Sequence, residues 1–362
     1  MTGAPPNGLG LEPPRRVAVF RALMLGDLLC AVPALRALKA AWPACELTLI
    51  GLPWARELAG RLAQVDRFIA FPGYPGLPET APNLLALPAF LRQIQEQRFD
   101  LLLQLHGSGI VVNPLVAAFG ARHVAGFAAP GAYCAEPALS IAWPDAGHEI
   151  ERLLRVTEHL GLPRRGLQLE FPVHDEDRRA LARLWPGVDD DRDPYVCVHA
   201  GAQLASRRWP VQRFAAVADR LAQRGCRVLL TGSAGEARLV AELQGAMRHR
   251  AVNLAGQTSL GVLGALIERA RLLVCNDTGV SHIAAALGTP SVVVSCGADV
   301  ARWAPLDAER HVVLWEPMAC RPCGHAQCPV GHGCAHAIEA SRVAALAEQL
   351  AWTSAWTSTS TC

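Results

Sequence analysis

Leu272-Leu-Val-Cys-Asn276-Asp-Thr-Gly279-Val-Ser-His282-Ile-Ala-Ala-Ala-Leu287 is the stretch that decides how this chain is built. Residues 272–275 read as a strand buried on both faces, 276–279 as a loop, and the run to 287 as an apolar helix. A further apolar strand, 291–295, follows at once. Strand, turn, helix and strand in that order are the repeating unit of a parallel sheet.

Working upstream, the same unit recurs. Strand 195–199 leads into Ala200-Gly201-Ala202 and a helix over 211–223. Strand 227–231, the turn 232–235, a helix over 236–247, strand 251–254 and a helix over 261–269 complete this half. The first half repeats it: strand 17–20, a loop around Leu25-Gly26-Asp27, and a helix to about 41. Strand 46–50, helix 54–63, strand 67–71, a Pro/Gly-rich loop at 72–82, helix 84–97 and strand 100–105 follow. Between 140 and 193 the pattern loosens around one helix near 149–160, and the turn-prone acidic run 186–194 reads as a hinge. The reading is α/β: two doubly wound halves whose strand ends flank a cleft, the place where open α/β sheets take ligands. The Ser/Thr-rich tail from Trp352 to Cys362 is expected to fray.

Composition narrows the function. A chain of 362 residues is long for one core and favours two domains. At 51% hydrophobic and 18% charged residues it is not a disordered chain. Lys+Arg 34 against Asp+Glu 32 leaves a net charge of +2 with scattered arginines, which disfavours a nucleic-acid binder. Lys39 is the only lysine, so no G-x-x-x-x-G-K loop exists and P-loop NTPases are excluded. No G-x-G-x-x-G follows a strand, which disfavours a dinucleotide oxidoreductase. Residues 1–14 lack a basic start and an apolar core, so they do not read as a secretory signal. No apolar run reaches the ~18 residues of a membrane span. Most of the 12 cysteines are dispersed in apolar runs, as buried thiols are. The expectation is a cytoplasmic protein, with peripheral contact at the cytoplasmic face of an inner membrane left open.

Candidate chemistry sits at strand ends. In Asp277-Thr278-Gly279 the first-turn N–H groups of a helix favour a phosphate, Gly279 admits close approach, and His282 lies one turn on. A helix cap explains one polar residue there, not all four. Glu236 either accepts hydrogen bonds from a ribose diol or stabilises a helix N-terminus. Arg207-Arg208 either clamps a pyrophosphate or is a solvated pair before Pro210. Asp27 either takes a proton from an attacking hydroxyl or caps the helix. Cys320-x2-Cys323-x4-Cys328-x5-Cys334 either holds zinc, as part of an interaction module, or is a run of buried and loop thiols.

Taken in order, Arg21-x3-Leu25-Gly26-Asp27-x5-Pro33, His199-Ala-Gly201-Ala202, Arg208-Trp209-Pro210, Gly232-x3-Glu236, Asn253-Leu-Ala-Gly256-x-Thr258 and Asp277-Thr278-Gly279-x2-His282 resemble glycosyltransferase family 9, the family of the ADP-heptose:lipopolysaccharide heptosyltransferases. The cysteine run resembles that of its second heptosyltransferase subgroup. The resemblance implies a GT-B type fold, two Rossmann-like domains facing a central cleft, with an acceptor-binding domain over 15–170 and a nucleotide-sugar donor-binding domain over 190–350. It implies inverting transfer of a heptose or related sugar from an ADP-sugar to a lipid-linked or lipopolysaccharide-core acceptor. Asp27 would be the general base. Gly201, Arg207, Glu236, Asp277, Thr278, Gly279 and His282 would bind the donor, with Glu236 on ribose and Thr278–Gly279 on the pyrophosphate. Arg207 stands where the family usually has lysine, a donor of different shape. Neither a metal nor another cofactor is implied. Two alternatives remain at this point: another nucleotide sugar as donor, or a non-catalytic sugar-nucleotide binding protein.

Overall fold

The computed structural model describes residues 12–189 and 194–352. The N-terminal run before 12, part of the 186–194 turn and the Ser/Thr-rich tail after Trp352 therefore lie outside the described residues. The chain divides into two units, Met1–Pro172 and Val173–Cys362. That division falls ahead of the turn-rich 186–194 run, so the helix at Asp175–Leu184 belongs to the second unit.

The first unit carries β1 (Arg16–Phe20), β2 (Glu46–Gly51), β3 (Arg67–Ala70), β4 (Leu101–Gln104), β5 (His123–Ala128) and β6 (Ser140–Ala142). All pair in parallel, in the order β3-β2-β1-β4-β5-β6. Its helices are α1 (Leu25–Ala41), α2 (Arg56–Ala59), α3 (Leu87–Glu96), α4 (Val112–Ala117) and α5 (Glu149–His159). Val17 to Phe20 are buried throughout because helices cover both sheet faces, the reason these strands are continuously apolar rather than alternating. Phe20, Phe71, Phe90 and Phe119 pack edge to face in the core.

The second unit opens with α6 (Asp175–Leu184) and holds β7 (Tyr195–His199), β8 (Arg227–Leu230), β9 (Ala251–Asn253), β10 (Leu272–Asn276), β11 (Ser291–Val294) and β12 (His311–Leu314). They too are parallel, in the order β12-β11-β10-β7-β8-β9. Helices α7 (Val211–Gln223), α8 (Ala237–Ala246), α9 (Leu260–Arg269), α10 (Gly279–Leu287), α11 (Val300–Trp303), α12 (Gly333–His336) and α13 (Ala340–Trp352) complete it. Helix α10 stops at Gly288, whose φ of 72° is the left-handed conformation that glycine tolerates.

Within each unit the first and fourth strands are neighbours and the order reverses between them. This is the doubly wound arrangement, with its ligand-binding switch point at that pair. Several local expectations are corrected. Leu25 to Asp27 form the first turn of α1, not a loop. The 54–63 helix shrinks to a 3-10 turn at Pro53–Ala55 plus α2. Leu84 and Leu85 precede α3 and are exposed.

Candidate active site

At the first switch point, between β1 and β4, Asp27 occupies the first turn of α1. Its Oδ2 accepts the Met24 N–H at 3.3 Å, so the capping role is real. The carboxylate is 22% exposed, which leaves it reachable for chemistry as well. Arg21, the residue after β1, is wholly buried and sends Nε to the Asp27 carbonyl at 2.6 Å and one terminal nitrogen to the Leu105 carbonyl. Its other terminal nitrogen meets Glu149 at 3.0 Å and lies 3.8 Å from Asp27 Oδ1.

His106 and Glu79 stand beside this group. Ala22 N–H donates to His106 Nδ1 at 3.2 Å, which leaves Nε2 as the protonated nitrogen, 3.7 Å from Glu79 Oε1. Burial, and then the charge of Arg21, push the His106 pKa down to about 3, so the ring is neutral. Glu79 is shifted the other way, raised by burial and by the charge of Asp27, and its Oε2 is buried with no hydrogen-bond partner. Arg21 enters the sequence reading only as the first residue of the family's opening motif, with no role attached, and Glu79, His106 and Glu149 carry no sequence signal of a site.

At the second switch point, between β7 and β10, the turn Asn276-Asp277-Thr278-Gly279 caps the strand pair. Asn276 is fully buried; its Oδ1 accepts the Trp209 N–H at 2.9 Å and its Nδ2 donates to the Ala200 carbonyl at 2.8 Å. It thereby ties the turn to the loop after β7. Thr278 holds the N-cap position of α10, but its side chain makes no cap hydrogen bond. The helix-cap reading of this turn is therefore not what its polar side chains do. Asp277 instead accepts from Ser295 Oγ at 3.1 Å. Burial raises its pKa, while the Ser295 bond and the charges of Arg207 and Arg321 oppose the rise. His282 is buried one turn into α10, edge-on to Trp303 at 6.4 Å.

Glu236 and Gly201 meet directly. A Cβ on Gly201 would lie 2.0 Å from Glu236 Oε1, so only glycine leaves room for that carboxylate. Glu236 Oε2 also accepts from Ser233 N and Oγ, both at 2.8 Å, and stands 4.0 Å from His199 Nε2. Arg207 donates to the Cys323 carbonyl at 2.6 Å, and its Nε is buried without a hydrogen-bond partner. Arg208 turns away to the Ala202 carbonyl at 2.9 Å. Of the two arginines, Arg207 alone is brought near Asp277.

The cysteine run packs rather than gathers ligands. Among the described residues no three His, Cys, Asp or Glu side chains form a group that could hold a metal ion. Cys323 N–H donates to the Gly297 carbonyl at 2.7 Å, and Ser206 N–H to the Ala326 carbonyl at 3.1 Å. His332 Nε2 reaches the Ser206 carbonyl at 2.9 Å. The run thus braces the loop that carries Arg207. It also supplies Arg321, whose guanidinium bonds Ser295 and Ala298. Arg321 and Ser295 are not marked in the sequence as site residues; the one available signal is the polar Ser295 closing the apolar run 292–294.

The family model for glycosyltransferase family 9 (heptosyltransferase) matches residues 88–333, more than half of the chain. The chain belongs to glycosyltransferase family 9. This family 9 member is 26% identical over 305 residues to lipopolysaccharide heptosyltransferase 2 of Escherichia coli K12, covering 77% of this chain and 82% of that protein. Among solved structures it resembles a family 9 glycosyltransferase from Veillonella parvula, with TM-score 0.78, 21% identity, and coverage of 95% and 99% of the two chains. It also resembles the E. coli ADP-heptose lipopolysaccharide heptosyltransferase II, with TM-score 0.75, 20% identity, and coverage of 93% and 98%. The fold is of the GT-B type, and the chain is a glycosyltransferase. Among its described residues, no helix is long and apolar enough to cross a membrane.

Proposed function

We propose that this chain is an inverting transferase that moves a heptose from an ADP-sugar to a lipopolysaccharide-core acceptor. The observation that carries the reading is that residues of the family motifs gather at the switch point of each sheet: Asp27 at one, and Gly201, Arg207, Glu236 and Asp277–Gly279 at the other. In this account the unit up to Pro172 binds the acceptor and the unit from Val173 binds the donor.

Asp27 takes the proton of the acceptor hydroxyl as that oxygen bonds to the anomeric carbon. The bond from that carbon to the diphosphate breaks, ADP leaves with the electron pair, and the centre inverts. The main-chain amides of the Thr278–Gly279 turn receive the diphosphate, whose negative charge grows as it departs. Arg207 supplies the cation for that charge, and its unpartnered Nε–H has a ligand oxygen as its natural acceptor. Glu236 accepts from the ribose hydroxyls, while Asp277 and His282 orient sugar and phosphate. The protein works at the cytoplasmic face of the inner membrane, in peripheral contact with it, because a lipid-anchored acceptor is presented there.

Two measurements test this. Thermal stabilisation is expected with ADP and not with UDP or GDP; stabilisation by UDP or GDP alone reassigns the donor, and binding of none removes the donor site. Mass spectrometry of a heptose-deficient core oligosaccharide incubated with ADP-heptose is expected to find one added heptose. An unchanged acceptor mass across the core series contradicts the proposed reaction.

A further inference from the structure

Asp27 shares a buried cation with a second carboxylate. Arg21 has no solvent exposure and Glu149, at the start of α5, has 1%. One Arg21 nitrogen lies 3.0 Å from Glu149 Oε1 and 3.8 Å from Asp27 Oδ1. The rest of the guanidinium is spent on carbonyls, Asp27's own at 2.6 Å and that of Leu105. The fork therefore joins the ends of β1 and β4 to the first turns of α1 and α5. Glu79, from the loop after β3, feels the charge of Asp27, and His106, just after β4, is neutral and feels the charge of Arg21. Arg36 and Lys39, further along α1, are engaged by Glu170 and Asp66.

A buried guanidinium with no other counter-charge would hold the Asp27 carboxylate strongly in its ionised form. A carboxylate so held is a weak proton acceptor, and a general base works best when its proton affinity suits the reaction. Glu149 on the same nitrogen offsets that charge. We propose that Arg21 and Glu149 form a positioning pair: Arg21 fixes the turn that carries Asp27, and Glu149 cancels enough of its charge to keep Asp27 a competent base. The inference rests on the reading of Asp27 as the general base.

Profiles of kcat against pH, taken at saturating donor and acceptor, separate this from a purely structural ion pair. Glu149→Gln keeps a hydrogen-bond partner for Arg21 but removes the negative charge; its acid limb is expected to move to lower pH by about one unit or more, with a lower plateau. Arg21→Gln leaves two carboxylates without their cation, and its acid limb is expected to move to higher pH by about 1–3 units. The double variant is expected to return close to the wild-type limb. Arg21→Lys keeps the charge without the fork, so its limb stays in place while kcat falls. A pair that only supports the fold lowers activity in all four variants without displacing the limbs in opposite directions, and that result overturns the proposal. If Arg21→Gln does not fold, Glu149→Gln against Arg21→Lys decides the matter, and an unmoved limb in Glu149→Gln overturns it. Asp27→Asn separates the two claims. Full turnover in that variant removes the general-base reading itself. An inactive Asp27→Asn with unmoved limbs in the other variants removes only this inference.

Discussion

Replacing Gly201 by alanine isolates the contact between the loop after β7 and the acid proposed to hold the ribose. The added Cβ would stand 2.0 Å from Glu236 Oε1 and 2.3 Å from its Cδ, so the carboxylate must leave its place. The φ of Gly201 lies outside the left-handed region, so the backbone accepts alanine without strain. The obstacle is the end of a flexible side chain, which can swing aside. Moving it gives up the two 2.8 Å bonds from Ser233 and with them a helix N-terminal cap, a loss of about 1 kcal/mol. For a domain of this size that lowers Tm by roughly 2–4 °C. Hydrogen bonds from neutral donors to a charged group contribute about 1.5–3 kcal/mol each, so losing one ribose hydroxyl to Glu236 weakens ADP by about 10- to 100-fold. Isothermal titration with ADP and a thermal melt on the same Gly201→Ala preparation read both numbers. A small fall in Tm with unchanged ADP affinity would refute the ribose role and leave Glu236 as a cap alone.

Two further variants test the frame of each site. His106 has a folded pKa of about 3 against 6.5 in the unfolded chain, so below pH 6.5 only the unfolded state takes up its proton. Stability is therefore lost as pH falls from 6.5 towards 3, at up to roughly 1.4 kcal/mol per unit; His106→Asn is expected to flatten that slope in urea titrations, and an identical slope would count against it. Asn276→Ala strands the buried Trp209 N–H and Ala200 carbonyl. The expected cost is about 2–4 kcal/mol in denaturant unfolding, and a cost under about 1 kcal/mol would contradict its bridging role.

The legible parts of the fold are those with a strong local cause. β1, β2, β7, β10 and β11 read directly because three or four apolar residues, broken in β2 only by Thr48, lie between turn signals. β5 is not legible because His123 and Gly126 interrupt it, nor are β6 and β12, short sheet-edge strands beginning at polar Ser140 and His311. Helix α6 begins with three acids, Asp175 to Asp177, and falls in the 140–193 stretch where the strand–helix pattern loosens.

The same division runs through the sites. Asp27, Glu236 and Asp277–Gly279 announce themselves because each follows a strand within a few residues. Glu149 carries no such mark, since its meaning comes from Arg21, 128 residues away in sequence. Glu79 sits in a Pro/Gly-rich loop with no periodicity to place it, and only the fold sets it against His106. Arg321 hides in a cysteine run whose spacing suggested metal, whereas its nearest partners are Ser295 and Ala298. Spacing along the chain reported those cysteines but not what they face.

The most direct test of the account is single-turnover transfer from ADP-heptose to a core oligosaccharide by the wild-type protein and by Asp27→Asn, with ADP binding measured alongside. The account predicts transfer slowed by about 10²- to 10⁴-fold in Asp27→Asn with ADP affinity unchanged. Equal transfer rates in the two proteins would contradict it.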